Sequence, residues 1–320
     1  MKAVVYTKYG PPEVLHFKEI DKPVPKDNEV LIRVRATTVT VADYRIRSFD
    51  IPKSFYIPAR LALGITGPRK RVLGAELAGV IESIGKSVTK YSPGDEVFAS
   101  TLASMGGYAE YKCIREDGLL EIKPKNISFE DAAAIPIGAC TALLYLQMAG
   151  IKKGQKVLVY GASGSVGTYA VQLANYFGAD VTGVCSSVNI ELVRSLGVTK
   201  VLDYTMPDFF QQLEKYDIIF VAVDKFPFSV GRNHLTEGGV FVNITLPFKT
   251  FEMMMSKVKV ISGSPKGDHL LALRELKEFV EAGTLKVVVD RKYTLDQIVE
   301  AHRYVSTGRK RGNVVVTVNA

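Results

Sequence analysis

The chain has 320 residues, 47% of them hydrophobic and 23% charged. This excludes global disorder and suits two cores better than one. The formal net charge is +8, but its bases are scattered. The densest runs, Arg69-Lys70-Arg71 and Arg309-Lys310-Arg311, read as solvated loops, which argues against nucleic acid as a partner. Three dispersed cysteines, Cys113, Cys140 and Cys185, form neither a knuckle nor a disulfide framework, and they fit a reducing cytosol.

In chain order, the first third reads as β-rich. Residues 2–7, 29–36, 77–84 and 95–99 are short apolar or alternating runs. Gly10-Pro11-Pro12, Pro23, Pro25, Gly85 and Ser92-Pro93-Gly94 punctuate them, a pattern suited to an antiparallel barrel-like domain. Ser128 before Phe129-Glu130-Asp131 signals a helix start. Residues 132–151 carry no charge, but Pro136, Gly138, Thr141 and Gln147 argue for a buried helix rather than a membrane span.

From 156 onward strands alternate with helices. Strands are expected at 157–161, 180–185, 200–204, 217–223, 239–244 and 259–263. Between them, residues 165–178 carry an apolar stripe at helical spacing that ends at Gly178. Asn189 can cap a helix over 189–197. Six strands with helical crossovers imply a doubly wound parallel sheet, an α/β fold. Helices at 268–282 and 295–307 follow, then a strand at 313–318 that returns to the first domain.

The strongest motif joins the strand Val157-Leu158-Val159-Tyr160 to Gly161-Ala162-Ser163-Gly164-Ser165-Val166-Gly167, then to an amphipathic helix. Glycines let the backbone turn tightly and approach a pyrophosphate, whose charge sits on N–H groups at the helix start. Gly164 and Gly167 are the two expected to matter. An NAD-binding unit places Asp or Glu at the end of its second strand. Here that end reads Val184-Cys185-Ser186-Ser187, with Tyr204 closing the next strand. Two hydroxyls and no carboxylate favour NADPH. Arg194 and Lys200 are cationic candidates for the 2′-phosphate.

Residues 74–97 and the run Gly106-Gly107-Tyr108-Ala109-Glu110-Tyr111 resemble ordered motifs of the medium-chain dehydrogenase/reductases. Ala132 to Thr141, together with the glycine loop, is similar to the quinone oxidoreductase branch. The resemblance covers essentially the whole chain. It implies a GroES-like catalytic domain at 1–122 and 264–320 and a Rossmann NADP-binding domain at 123–263. It also places Thr141 near the nicotinamide ribose. Val223, Thr245 and Ser264 would line the cofactor groove, with Gly312 and Asn313 on a C-terminal loop.

Two departures from the family's pattern matter. Where zinc-dependent members hold the catalytic metal with Cys and His, this chain has Thr40 and Ala75, and the structural-zinc region retains only Cys113. By ligand count no metal is expected. His16, His234, His269 and His302 read as surface or packing residues. Thr40-Val41-Ala42-Asp43 stands where quinone oxidoreductases often carry an Asn. The insertion at 55–71 reads either as a movable helix-loop selecting an apolar substrate or as a plain surface helix with a buried face.

The expected chemistry is hydride transfer from NADPH to a quinone or α,β-unsaturated carbonyl, with Thr40, Asp43, Tyr44 and Tyr56 as candidate polar groups. Alcohol or aldehyde oxidation and a non-catalytic NADPH sensor are the alternatives. The expected assembly is a cytoplasmic homodimer paired through the strand at 239–244 near the sheet edge.

Overall fold

The computed structural model describes residues 1–52, 56–245 and 250–318. Among them, the first stretch holds β1 (Lys2–Val5), β2 (His16–Glu19), β3 (Glu29–Thr38), α1 (Val41–Ser48), α2 (Tyr56–Leu63), β4 (Glu76–Ile84), β5 (Glu96–Ser100), β6 (Tyr111–Arg115), β7 (Leu120–Ile122) and α3 (Phe129–Ala133). The middle holds α4 (Gly138–Ala149), β8 (Lys156–Tyr160), α5 (Ser165–Tyr176), β9 (Asp180–Cys185), α6 (Ile190–Ser195), β10 (Lys200–Asp203), β11 (Tyr216–Val221), α7 (Phe228–Gly231), β12 (Leu235–Asn243), α8 (Phe251–Met255), β13 (Lys259–Ile261) and α9 (His269–Glu281). The chain ends with β14 (Val289–Thr294), α10 (Ile298–Ser306) and β15 (Asn313–Thr317).

Two compact units result, Met1–Ile137 with Val289–Ala320, and Gly138–Val288. The expected division at 122/123 and 263/264 differs from this one. Helix α3 packs on β3 and β4, so the residues after 122 stay with the first unit. Helix α9 packs on α4, so the residues after 263 stay with the second.

In the first unit β3 organises the sheet. Its N-terminal half pairs antiparallel with β6, its C-terminal half with β15, and most of its length with β4 on the other side. Val30, Leu31, Ile32 and Val34 are all buried, so both faces of this ten-residue strand are covered, which suits such sharing. Val34, Leu77, Val97, Val314 and Val316 fill the core, closed by Ile298, Ala301 and Val305 from one face of α10.

The second unit is a six-stranded sheet in the order β10-β9-β8-β11-β12-β13, parallel throughout. Its strands are buried runs of Val, Leu, Ile and Phe, as helices on both faces require. The order reverses between β8 and β11, the switch point where such sheets bind ligands beyond their carboxyl ends. Strand β12 is hydrogen-bonded on both sides, so the strand expected to pair two copies is not an edge; β13 is.

Residues 132–151 do not form one helix. The chain turns after α3 at Pro136 and restarts at Gly138, since proline disfavours helix before it and supplies no donor. No helix among the described residues is long and apolar enough to cross a membrane. No residue of α2 is fully buried: Ile57 and Leu61 face solvent, while Ala59, Arg60 and Leu63 are half-buried and Arg60 lies over Tyr9 and Phe49. Phe55, at the start of that insertion, lies outside the described residues. Lys310 departs from the solvated-loop reading as well. It is half-buried and donates to the Gly312 carbonyl at 2.7 Å, while Arg309 and Arg311 are exposed.

Asp268 caps α9, accepting from the N–H groups of Leu270 and Leu271 at 2.9 and 3.0 Å. Asp268→Ala is expected to lower unfolding free energy by about 1 kcal/mol, and Asp268→Ser to restore most of it. Urea unfolding of the three proteins checks this.

Candidate functional site

The turn between β8 and α5 is built by three glycines with different tasks. Gly161 has φ +87°, a left-handed conformation that side chains resist. A Cβ added at Gly167 would lie 2.0 Å from the Gly161 carbonyl oxygen, so only glycine lets the helix start this close to the strand. At Gly164 an added Cβ would meet nothing nearer than 3.5 Å, which leaves open the side from which a ligand backbone would approach.

Gly164 is the N-cap of α5 and brings no capping side chain. The first intrahelical bond runs from Thr168 N–H to the Gly164 carbonyl at 2.9 Å, so the N–H groups of Val166 and Gly167 precede it. This is the donor set an anion needs at a helix start, strengthened by the helix dipole. A pyrophosphate fits it.

Neighbouring expected residues gather here. Val223 lies beside Gly161, 3.1 Å from where its Cβ would be. Thr141 is one turn along α4 from Gly138, whose added Cβ would meet Ser165 Oγ at 2.6 Å. Tyr204 sets its ring 6.0 Å from that of Tyr160, the residue before the turn. Ala162 is fully buried, its N–H bonded to the Val184 carbonyl. Thr245 folds onto Asn243, and Ser264 is exposed beyond β13. Gly312 and Asn313 belong to the other unit, at the head of β15.

The end of β9 and its surroundings differ from their expected form in four ways. Cys185 is buried, and burial pushes its thiol up to about 11, which keeps it neutral. Asp203, ending the adjacent β10, accepts from Ser187's hydroxyl and N–H, so a carboxylate stands beside this strand end after all. Burial raises the Asp203 carboxyl, but bonds from Thr205 and Ser187 outweigh that and hold it below its usual range. Asn189 precedes α6 without capping it; its amide instead donates to Ser163 and Ser186. Arg194 and Lys200 are paired with Glu191 and Glu214.

The four candidate polar groups of the first unit do not converge. Thr40 caps α1, and its hydroxyl donates to Asp43 Oδ2 at 2.6 Å while accepting from Asp43 N–H. Asp43 is fully buried and also accepts from Thr40 N–H and Gly74 N–H at 2.9 and 3.0 Å. Burial raises its carboxyl despite these donors. Both residues therefore anchor α1 to the Gly74 turn. Tyr44 donates to Asp50 at 3.0 Å. Tyr56, 45% exposed, accepts from Arg60, whose guanidinium also lies over Phe49 and Tyr9.

Sequence reasoning passed over the groups that dominate this unit's interior. Glu76 is fully buried, accepting from Thr38 Oγ1 at 2.5 Å and Ile137 N–H at 2.8 Å, and burial pushes its carboxyl up to about 7. Burial lowers Lys310 to about 8, against the pull of Glu76 and Asp290. Tyr108 donates to the Thr38 carbonyl and engages Asp43. Glu76 and Tyr108 sat inside recognised motifs, but nothing local marked their burial. His302, read from the sequence as a surface or packing residue, proves to be a packing one. It is fully buried, with Nε2 3.2 Å from the Tyr108 hydroxyl and Nδ1 unpartnered.

Burial, and then the charge of Arg47, push His302 down to about 3. An unfolded chain protonates this imidazole near pH 6.5, so between the two values the unfolded state binds the extra proton. Stability contributed above pH 6.5 is thus lost as pH falls through that window. His302→Phe is expected to lose about 2 to 3 kcal/mol less than wild type between pH 7 and pH 4.5. Equal losses in urea titrations would remove His302 as the cause.

Positions 40 and 75, where the resemblance would place zinc ligands, hold a capping threonine and a fully buried alanine. Among the described residues no three His, Cys, Asp or Glu side chains are grouped to hold a metal.

Comparison with known proteins follows this geometry. Residues 26–124 match the alcohol dehydrogenase GroES-like domain, and residues 196–316 match a family described as zinc-binding dehydrogenase. The chain is 31% identical to a chloroplast envelope quinone oxidoreductase homolog of Arabidopsis thaliana, over 99% of this chain and 98% of that one. It is 32% identical to an NADPH-dependent alkenal/one oxidoreductase of the same plant, over 99% and 79% of the respective lengths. The solved quinone oxidoreductase of Coxiella burnetii superposes with TM-score 0.87 at 27% identity, covering 100% of this chain and 99% of that one. With a GroES-like domain, a six-stranded Rossmann sheet and relatives spanning its whole length, the chain belongs to the quinone oxidoreductase-like branch of the medium-chain dehydrogenase/reductase superfamily and is an oxidoreductase.

Proposed function

We propose that the protein is a zinc-independent reductase that uses NADPH to reduce a quinone or an α,β-unsaturated carbonyl. The observation that carries this is the glycine turn at Gly161–Gly167, opening α5 at the switch point of a parallel sheet, with hydroxyls at the end of β9. Bound there, the cofactor supplies a hydride. The N–H groups at the head of α5 would hold its pyrophosphate, with Ser163 and Ser186 available to its adenosine ribose. Thr141 and Val223 flank the same turn.

The acceptor class follows from what positions 40 and 75 lack. Neither threonine engaged as a cap nor alanine is a useful zinc ligand, so these positions supply no Lewis acid to steady an alkoxide. A conjugated acceptor needs less help, because its π system spreads the incoming charge and a hydroxyl or water completes the proton transfer. Of the four candidate hydroxyl or carboxyl groups, Tyr56 is the one that accepts from Arg60 while keeping its own proton to give. The related Arabidopsis protein named for NADPH and alkenals or enones supports this acceptor class and this cofactor.

The test is metal analysis of purified protein together with NADPH oxidation in the presence of 1,4-benzoquinone, 9,10-phenanthrenequinone and a small enone. Metal-free turnover of at least one acceptor is expected, by a species of twice the chain mass on size-exclusion with light scattering. Stoichiometric zinc that activity requires would overturn the reading in favour of alcohol chemistry. Tight NADPH binding without turnover would favour a sensor.

A further inference from the structure

The end of β9 carries an arrangement that a glycine turn alone does not need. Asn189 Nδ2 lies 3.1 Å from Ser163 Oγ and 3.2 Å from Ser186 Oγ. Its Oδ1 is buried and has no hydrogen-bond partner among the described residues. Ser163 belongs to the glycine turn and Ser186 to the end of the second strand of the wind. The amide therefore ties together the two segments that flank the adenosine ribose in a doubly wound fold.

A hydroxyl has one proton and two acceptor sites. While Nδ2 donates to both serine oxygens, both serine protons can point outward. Half a turn of the amide puts Oδ1 against the same oxygens. The protons then turn inward and lone pairs face out. Because Oδ1 makes no bond in the observed orientation, no hydrogen bond at that end resists the rotation. Outward protons suit an ionised 2′-phosphate, which only accepts. Outward lone pairs suit a ribose 2′-hydroxyl, which donates.

The charges nearby favour neither nucleotide decisively. Arg194 and Lys200, the cations expected to hold a 2′-phosphate, are engaged by Glu191 and Glu214. Ser187 is taken up by Asp203, whose carboxylate opposes an added phosphate. A 2′-phosphate would be read by neutral donors against one negative neighbour.

We infer that Asn189 is a positioning residue that sets the polarity of the Ser163 and Ser186 hydroxyls, and that the chain consequently takes both NADPH and NADH. This rests on the cofactor reading above and adds to it the nucleotide range.

Titration calorimetry on the full chain with ADP-ribose and 2′-phospho-ADP-ribose tests it without turnover. Wild type is expected to bind the two within about tenfold of each other. In Asn189→Asp a carboxylate accepts from both hydroxyls and holds their protons inward. The 2′-phosphorylated probe is expected to weaken by about tenfold or more while ADP-ribose holds. In Asn189→Lys an added cation is expected to tighten the phosphorylated probe by about tenfold and leave ADP-ribose unchanged. Discrimination by wild type of about a hundredfold or more, or variants that shift both probes alike, overturns the inference. If neither probe binds, the cofactor reading falls and this inference with it; strong preference for 2′-phospho-ADP-ribose sinks the inference alone, and strong preference for ADP-ribose sinks it together with the choice of NADPH.

Discussion

The close approach of Gly167 to the Gly161 carbonyl is the constraint on which the second unit's site depends. An extra carbon there would sit 2.0 Å from backbone oxygen, far inside any tolerated contact. Without it, α5 could not begin directly over the end of β8, and its first-turn N–H groups would not face the switch point between β8 and β11. The same packing sets Val223 against Gly161 and brings the head of α4 to the head of α5. One missing side chain thus aligns three elements around a single donor cluster.

The first unit depends on buried polar groups rather than on close backbone. Asp43 accepts from Thr40 and Gly74, and Thr38 donates to Glu76. Tyr108 bonds the Thr38 carbonyl and engages Asp43, and His302 closes the group from α10. Burial raises the pKa of each of these acids and lowers that of His302, because a low-dielectric interior penalises whichever form is charged. Two of the expected reactive groups, Thr40 and Asp43, are held within this network. Their hydrogen-bonding capacity is spent on each other and on the Gly74 turn.

Much of the architecture was legible in the chain. Period-two runs located β1, β3, β4 and β5, and buried apolar runs located all six strands of the parallel sheet. The stripe at 165–178 and Gly178, with φ +77°, located α5 and its end. Boundaries between units were less legible. Which unit claims α3 or α9 is decided by packing against β3, β4 and α4, elements distant in sequence. That β12 lies near the edge but is covered by β13, and so is paired on both sides, was hidden for the same reason.

At the candidate site the division is similar. The sequence by itself determined the glycine turn, the helix that follows it and the absence of Cys and His at positions 40 and 75, since these are matters of residue type and local spacing. Only tertiary structure decided what the side chains there do. Asp203 reaches Ser187 because β10 lies beside β9. Asn189 meets Ser163 because the turn after β8 abuts the end of β9. His302 meets Tyr108 across 194 residues. Hydrogen-bond partners and burial are properties of neighbours in space, and no local pattern encodes them.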